Sequence, residues 1–225
     1  VFALAACFEK PVVSEKSEEE LPTETPRKIL HEVFSGSTCG PCYDADVLLL
    51  DLFADNPGRY VYLAYQVGSD PYVSAEAVSR RMYYLPDAET YSIPYIHVDG
   101  VNGFHPIEVN DEKGYTQEDF DAFAAAPSYL KLDVSHSVSG QTVAFQIELL
   151  PLPDYDASSL VLQIAIIEKT TYENVGTNGL TEFHHVMKKM VPNEGGTPLG
   201  ALVRGETTRF DHSYEFKGVY DETAG

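Results

Sequence analysis

The sequence predicts an α/β domain followed by an all-β, antiparallel, sandwich-like domain. A handful of observations lead there. A Cys39-Gly40-Pro41-Cys42 motif stands between an apolar run and a helical pattern, which reads as a strand-to-helix junction. Strand-like runs and helix-period stretches alternate between residues 27 and 127. After Pro127 the apolar residues recur at every second position, the period of half-buried strands.

Residues 1–26 are expected to lie outside both domains. Leu4-Ala5-Ala6-Cys7 resembles a bacterial lipobox, at which a signal peptide is cut and the cysteine lipidated, so Cys7 is the expected lipid anchor. Glu9, Glu15, Glu18, Glu19 and Glu20, interspersed with Pro11, Pro22 and Pro26, then read as a flexible acidic tether.

The α/β domain is placed at 27–127. Residues 28–35 read as its first strand. The helix after Cys39 runs to about Asp55, with Ala45, Leu48, Leu49, Leu52 and Phe53 as its apolar face, and Asn56-Pro57-Gly58 stops it. Tyr60–Val67 is the next strand. From Asp70 a helical stretch presents Ala75, Val78, Met82 and Leu85 inward and Arg80 and Arg81 outward, and Pro86 ends it. Tyr91 to Gly100 reads as a strand entering a hairpin, with Pro94 awkwardly placed at its head. Tyr115–Ala126 is a third helix, anchored by Phe120 and Phe123, with Thr116 and Asp119 as a capping box.

Two thiols separated by two residues can form and break one disulfide. At a helix N-terminus, free backbone N–H groups and the helix dipole stabilise a thiolate on Cys39. Gly40 permits the tight turn, and Pro41 needs no N–H there. A zinc site would need further ligands; the remaining cysteine, Cys7, is far away and His184 and His185 are adjacent, so neither a metal nor a cofactor is assigned.

The element order, Cys39-Gly40-Pro41-Cys42 at the first strand–helix junction and Ile93-Pro94 before the third strand together resemble the thioredoxin fold over residues 27–127. The resemblance implies a cis Pro94 lying against the cysteines. It also implies Cys39 as attacking thiol, Cys42 as resolving thiol, and Gly40, Pro41, Ile93 and Pro94 as the surface that docks a partner's strand. Thr38 stands where family members usually carry Trp. Val33 stands where many thioredoxins carry a buried Asp that relays a proton, which makes neighbouring Glu32, although expected on the opposite strand face, the candidate relay. The charge and the positions of Asp44 and Asp46 in the first helical turns oppose a thiolate, so a reducing rather than strongly oxidising pair is expected.

The second domain is placed at 128–225. Leu130, Leu132 and Val134 alternate with polar residues, Ser139-Gly140 turns the chain, and Val143, Phe145, Ile147 and Leu149 alternate again. Leu160–Ile167 reads as a strand buried on both faces. Residues 170–180 read as a loop, Phe183–Met190 fits strand or helix, and Phe210, His212, Tyr214 and Phe216 alternate. After Phe216 a further apolar strand would be expected, and Gly218–Gly225 does not supply it, so the chain reads as truncated.

The pairing of the two halves is similar to the 28-kilodalton outer-membrane-protein family of Bacteroidetes-type bacteria, lipoproteins of the cell envelope. The residues that carry it are Glu32 to Cys42, Ile93 to Gly100 and Phe183 to Met190. It implies a thiol–disulfide oxidoreductase-like lipoprotein anchored to the outer membrane through Cys7, with envelope protein thiols or disulfides as partners. The alternative is a non-catalytic surface binding or assembly module on the same scaffold. The net charge of −20, from 15 Lys and Arg against 35 Asp and Glu, argues against nucleic acid as a partner, because phosphates need a basic face.

Overall fold

The computed structural model describes residues 21–84, 92–153, 159–172 and 176–217. Cys7 and most of the expected tether lie outside these residues, as do Leu85, Pro86, Tyr91 and Gly218–Gly225. The end of the tether segment lies against the folded chain: Thr25 and Ser128 exchange backbone hydrogen bonds of 2.7 and 3.1 Å.

The first half follows the order read from the sequence: β1 (Ile29–Ser35), α1 (Gly40–Asp55), β2 (Tyr60–Gln66), α2 (Ala75–Tyr84), β3 (Tyr95–Val98), β4 (Asn102–Phe104) and α3 (Gln117–Ala124). β1 runs parallel to β2 and antiparallel to β3. Alternation along β1 divides the core. Ile29 and Val33 meet Leu49 and Phe53 of α1 and Phe120 of α3 on one face, while Phe34 meets Tyr65 and Ala77 of α2 on the other. α3 starts with the expected capping box, Thr116 and Asp119 each bonding the other's backbone. Asn56 ends α1, its side-chain amide donating to the Leu52 carbonyl at 2.8 Å.

The face of α2 differs from the expectation. Val78 and Met82 are exposed, whereas Ala77 is buried and Arg80 points inward. Electrostatics overrides hydrophobic period here, because a buried carboxylate on β1, Glu32, needs a cation and Arg80 is the residue in reach.

The second half contributes β5 (Leu130–Ser139), β6 (Thr142–Pro151), β7 (Val161–Leu162), β8 (Ile164–Thr171), β9 (Phe183–Val191), β10 (Thr197–Pro198) and β11 (Thr208–Glu215). The expectation that they all build one sandwich does not hold. β8 and β9 join the first sheet, giving six strands in the order β4-β3-β1-β2-β9-β8, with β9 parallel to β2 through Ala64 and Val186. β5, β6 and β11 make a three-stranded antiparallel sheet, and β7 pairs with β10. Val143, Ile147 and Leu149 of β6 pack with Val191, Ile164 and Ile166, so the small sheet rests on the β8–β9 end of the large one. The apolar run Leu160–Ile167 is split at Gln163 between two sheets, and its Ile residues are half-buried at an edge rather than covered on both faces.

Candidate functional site

Cys39 is the residue before the first turn of α1, with extended backbone (φ −99°, ψ 109°), and Cys42 completes that turn. The two form a disulfide, S–S 2.08 Å, with Cα atoms 5.3 Å apart. Cys39 is half-buried and Cys42 fully buried, while Gly40 and Pro41 are exposed beside them. The turn thus leaves the first sulfur partly open to the surface and screens the second. Leu49 and Phe53 hold α1 on the sheet, which fixes where the turn sits.

The loop before Cys39 is pinned from two directions. The Ser37 N–H donates to Asp70 Oδ2 at 2.7 Å, and Asp70 Oδ1 accepts from the Tyr72 N–H at 2.8 Å. From the β8–β9 connection, the Thr177 and Asn178 N–H groups donate to the Ser37 carbonyl at 2.9 and 3.0 Å. The approach is so close that a Cβ on Gly176 would lie 2.0 Å from that carbonyl oxygen, which requires glycine. Tyr43, 41% exposed, and Gly179 lie side by side at the rim.

Ile93 and Pro94 form the opposite wall, and their peptide bond is cis, as expected. The Ile93 carbonyl oxygen lies 3.5 Å from Cys39 Sγ. A disulfide sulfur has no proton to donate, so this contact becomes a hydrogen bond only once Cys39 carries a thiol. The Pro94 carbonyl accepts from His105 Nδ1 at 2.7 Å, a support the sequence reading missed. Cys39, Gly40, Pro41, Cys42 and Ile93 therefore stand together, with Pro94 next to them.

Glu32 does not join them. It lies on the α2 face of the sheet, away from α1, and its carboxylate accepts from Arg80 Nε at 2.8 Å, Arg80 Nη2 at 3.1 Å, Tyr65 OH at 2.9 Å and Tyr84 OH. Its oxygens are taken up by a guanidinium and two phenols, so it is not placed to relay protons to Cys42.

A different carboxylate occupies the α1 side. Asp46 is 8% exposed, although the sequence reading treated it only as a charge in the first helical turns that opposes a thiolate. Burial pushes its carboxyl up to about 7, opposed by the hydrogen bond it accepts from Tyr62. Its Oδ1 has no partner among the described residues. It borders a cavity of about 170 Å³ lined by Leu50, Tyr62, Phe183 and His184. The sequence signal was its spacing of four from Cys42. On the same face of β1 as Val33, His31 is wholly buried against Phe53 and Phe120 and bonded to Tyr115 OH at 3.0 Å; burial lowers its ring to about 4.

Comparison with known proteins gives similarity of fold. HBP35 of Porphyromonas gingivalis superposes with a TM-score of 0.67 at 13% identity, over 88% of this chain and 67% of that one. A structural-genomics target from Agrobacterium tumefaciens superposes with a TM-score of 0.54 at 16% identity, over 84% of this chain and 79% of that one. No family model and no curated protein sequence matches the chain.

Proposed function

We propose that the protein is a thiol–disulfide oxidoreductase of the bacterial cell envelope, with a thioredoxin-like arrangement around Cys39 and Cys42 and a lipid anchor on Cys7. The observation that carries it is the asymmetry of the cysteine pair: one sulfur half-exposed beside a backbone carbonyl at 3.5 Å, the other fully buried in the first turn of a helix. A free thiolate on Cys39 would gain from the N-terminal helix dipole. It attacks one sulfur of a partner disulfide, forming a mixed disulfide and expelling the partner's other sulfur as thiolate. Cys42, shielded from outside thiols, then attacks Cys39 Sγ, closes the Cys39–Cys42 disulfide and frees the second partner sulfur. Ile93 and Pro94 supply the edge along which a partner strand is held during the exchange. Membership of the 28-kilodalton outer-membrane-protein family and outer-membrane anchoring belong to the same reading, supported by the fold shared with HBP35, a protein of Porphyromonas gingivalis.

The test is trapping. Cys42→Ser should accumulate mixed disulfides through Cys39 in envelope extracts, and Cys39→Ser should abolish them. A wild-type disulfide that resists dithiol reduction, together with no trapped species, would replace this reading by a scaffold whose disulfide is structural.

A further inference from the structure

We propose that Asp46 is the group that takes the proton from the Cys42 thiol when Cys42 resolves a mixed disulfide on Cys39, and returns it when the pair is reduced. The inference rests on the thiol–disulfide reading above and names a component that its second step requires. A buried thiol attacks slowly, because the thiolate is the nucleophile and burial in apolar surroundings disfavours it. The proton of Cys42 needs an acceptor that is itself inside the protein.

Geometry picks out Asp46. Cys42, Ala45, Asp46, Leu49 and Phe53 are the buried residues of α1, with Asp46 one turn after Cys42. Positions four apart on a helix have Cβ atoms about 5–6 Å apart. Helical Cα–Cβ bonds tilt toward the N-terminus, which directs the Asp46 side chain toward the turn that holds Cys42. The carboxylate is nine-tenths buried, yet Oδ1 is left without a hydrogen-bond partner. Such an atom costs stability, and a catalytic role is one reason for a protein to keep it. Oδ1 can accept a hydrogen bond from a thiol, or from a water that carries its proton.

The surroundings suit transfer in both directions. Tyr62 of β2 donates to Asp46 and favours its charged form, while burial favours the protonated form, leaving the group balanced near neutral pH. Glu182, just before β9, and His184, near its start, face the same cavity, with His184 Nε2 3.5 Å from Glu182 Oε1. His185 lies behind Tyr62, ring centroids 5.4 Å apart, and burial lowers its ring below the ordinary histidine value, so it adds no fixed cation. On α1 itself Asp44 is exposed. The half-exposed Glu182–His184 pair at the cavity gives a route by which the proton reaches solvent.

Cys42 S–H gives its proton to Asp46; the thiolate forms a bond to Cys39 Sγ as the Cys39–partner S–S bond breaks; the departing partner thiolate keeps the bond's electrons and takes a proton from solvent. Two electrons leave the dithiol and reduce the partner disulfide. Protonated Asp46 then passes its proton to solvent.

The experiment mixes fully reduced protein with an aromatic disulfide reagent whose released thiolate is coloured. Attack by Cys39 gives a first release and resolution by Cys42 a second. In Asp46→Asn the first phase should stay within about twofold and the second should slow by about 100-fold at neutral pH, the scale of general-base assistance. In the wild type the second phase should rise through an inflection near neutrality that the variant lacks. Tyr62→Phe, which keeps the carboxylate but removes the donor favouring its charge, should move that inflection to higher pH, a change that packing damage alone does not produce. A second phase with unchanged rate and pH profile in Asp46→Asn would overturn the assignment while leaving the redox reading intact. Absence of any first phase in the wild type would overturn the redox reading and this inference with it.

Discussion

Replacing Arg80 by Met should destabilise the protein far more than any exposed ion pair would suggest. The methionine keeps most of the aliphatic stem and removes the guanidinium. Glu32 is 1% exposed and the Arg80 side chain 13%, with two charged contacts of 2.8 and 3.1 Å between them. Removing one partner of such a pair leaves an uncompensated charge in a low-dielectric interior, which costs about 3–5 kcal/mol. Tyr65 and Tyr84 still donate to Glu32, which places the expected loss at the lower end, about 3 kcal/mol. For a chain of this size that lowers the melting temperature by about 6–12 °C. With no tryptophan in the chain, urea unfolding is best followed by far-ultraviolet circular dichroism. Combining Arg80→Met with Glu32→Gln should recover most of the loss, since the stranded charge is gone. The Arg59–Asp121 pair, 3.1 Å apart but 47% and 55% exposed, provides the internal control: Asp121→Ser should change stability by no more than about 1 kcal/mol. If Arg80→Met behaves like Asp121→Ser, the argument that burial makes the α2 face electrostatic is wrong.

The remaining predictions concern Asp46 and the β8–β9 connection. Asp46 is raised from 3.8 to about 7, so the folded state holds its proton more tightly, and its contribution falls by up to about 4 kcal/mol as pH climbs from 3.8 to about 7. His31, lowered from 6.5 to about 4, acts oppositely, raising stability with pH across 4 to 6.5. Denaturation series should therefore show little net slope from these two groups between pH 4 and 6.5 in the wild type, and a rising slope in Asp46→Asn; parallel profiles would refute the Asp46 shift. Gly176→Ala puts a Cβ 2.0 Å from the Ser37 carbonyl oxygen and should cost about 1–3 kcal/mol through overpacking, measured by the same urea unfolding; an unchanged midpoint would mean the connection does not bear on the cysteine loop.

Much of the first half was legible because its signals are local. Pro41, Asn56-Pro57-Gly58 and the Thr116–Asp119 box act within a turn of the chain, and the structure places the helix ends there. The second half was less so, because strand partnership is a long-range choice. Phe183–Val191 fits strand or helix by its period and Ile164–Ile167 is apolar at every position, patterns that name no partner, yet both strands lie in the large sheet, β9 beside β2 and β8 beyond it. Parallel pairing through Ala64 and Val186 leaves no trace in either segment's own period. The clamp on Ser37 was illegible for the same reason: Gly176 reads as one more loop glycine until the carbonyl it approaches is known.

The two carboxylates make the point about chemistry. Glu32 was singled out because it sits next to the strand position that matters in the resembling fold, but one residue along a strand is the other face of the sheet. There it met Arg80 and two phenols, which hold it as a structural anion. Asp46 was read only as a charge in the first helical turns that opposes a thiolate on Cys39. Its position four residues after Cys42 puts it on the buried side of α1, where its described contact is a single phenol and no cation, and where burial leaves it balanced near neutrality. Proximity along the chain misled in the first case and was overlooked in the second. What separates an anchor from a proton acceptor is the partner each carboxylate finds across the fold.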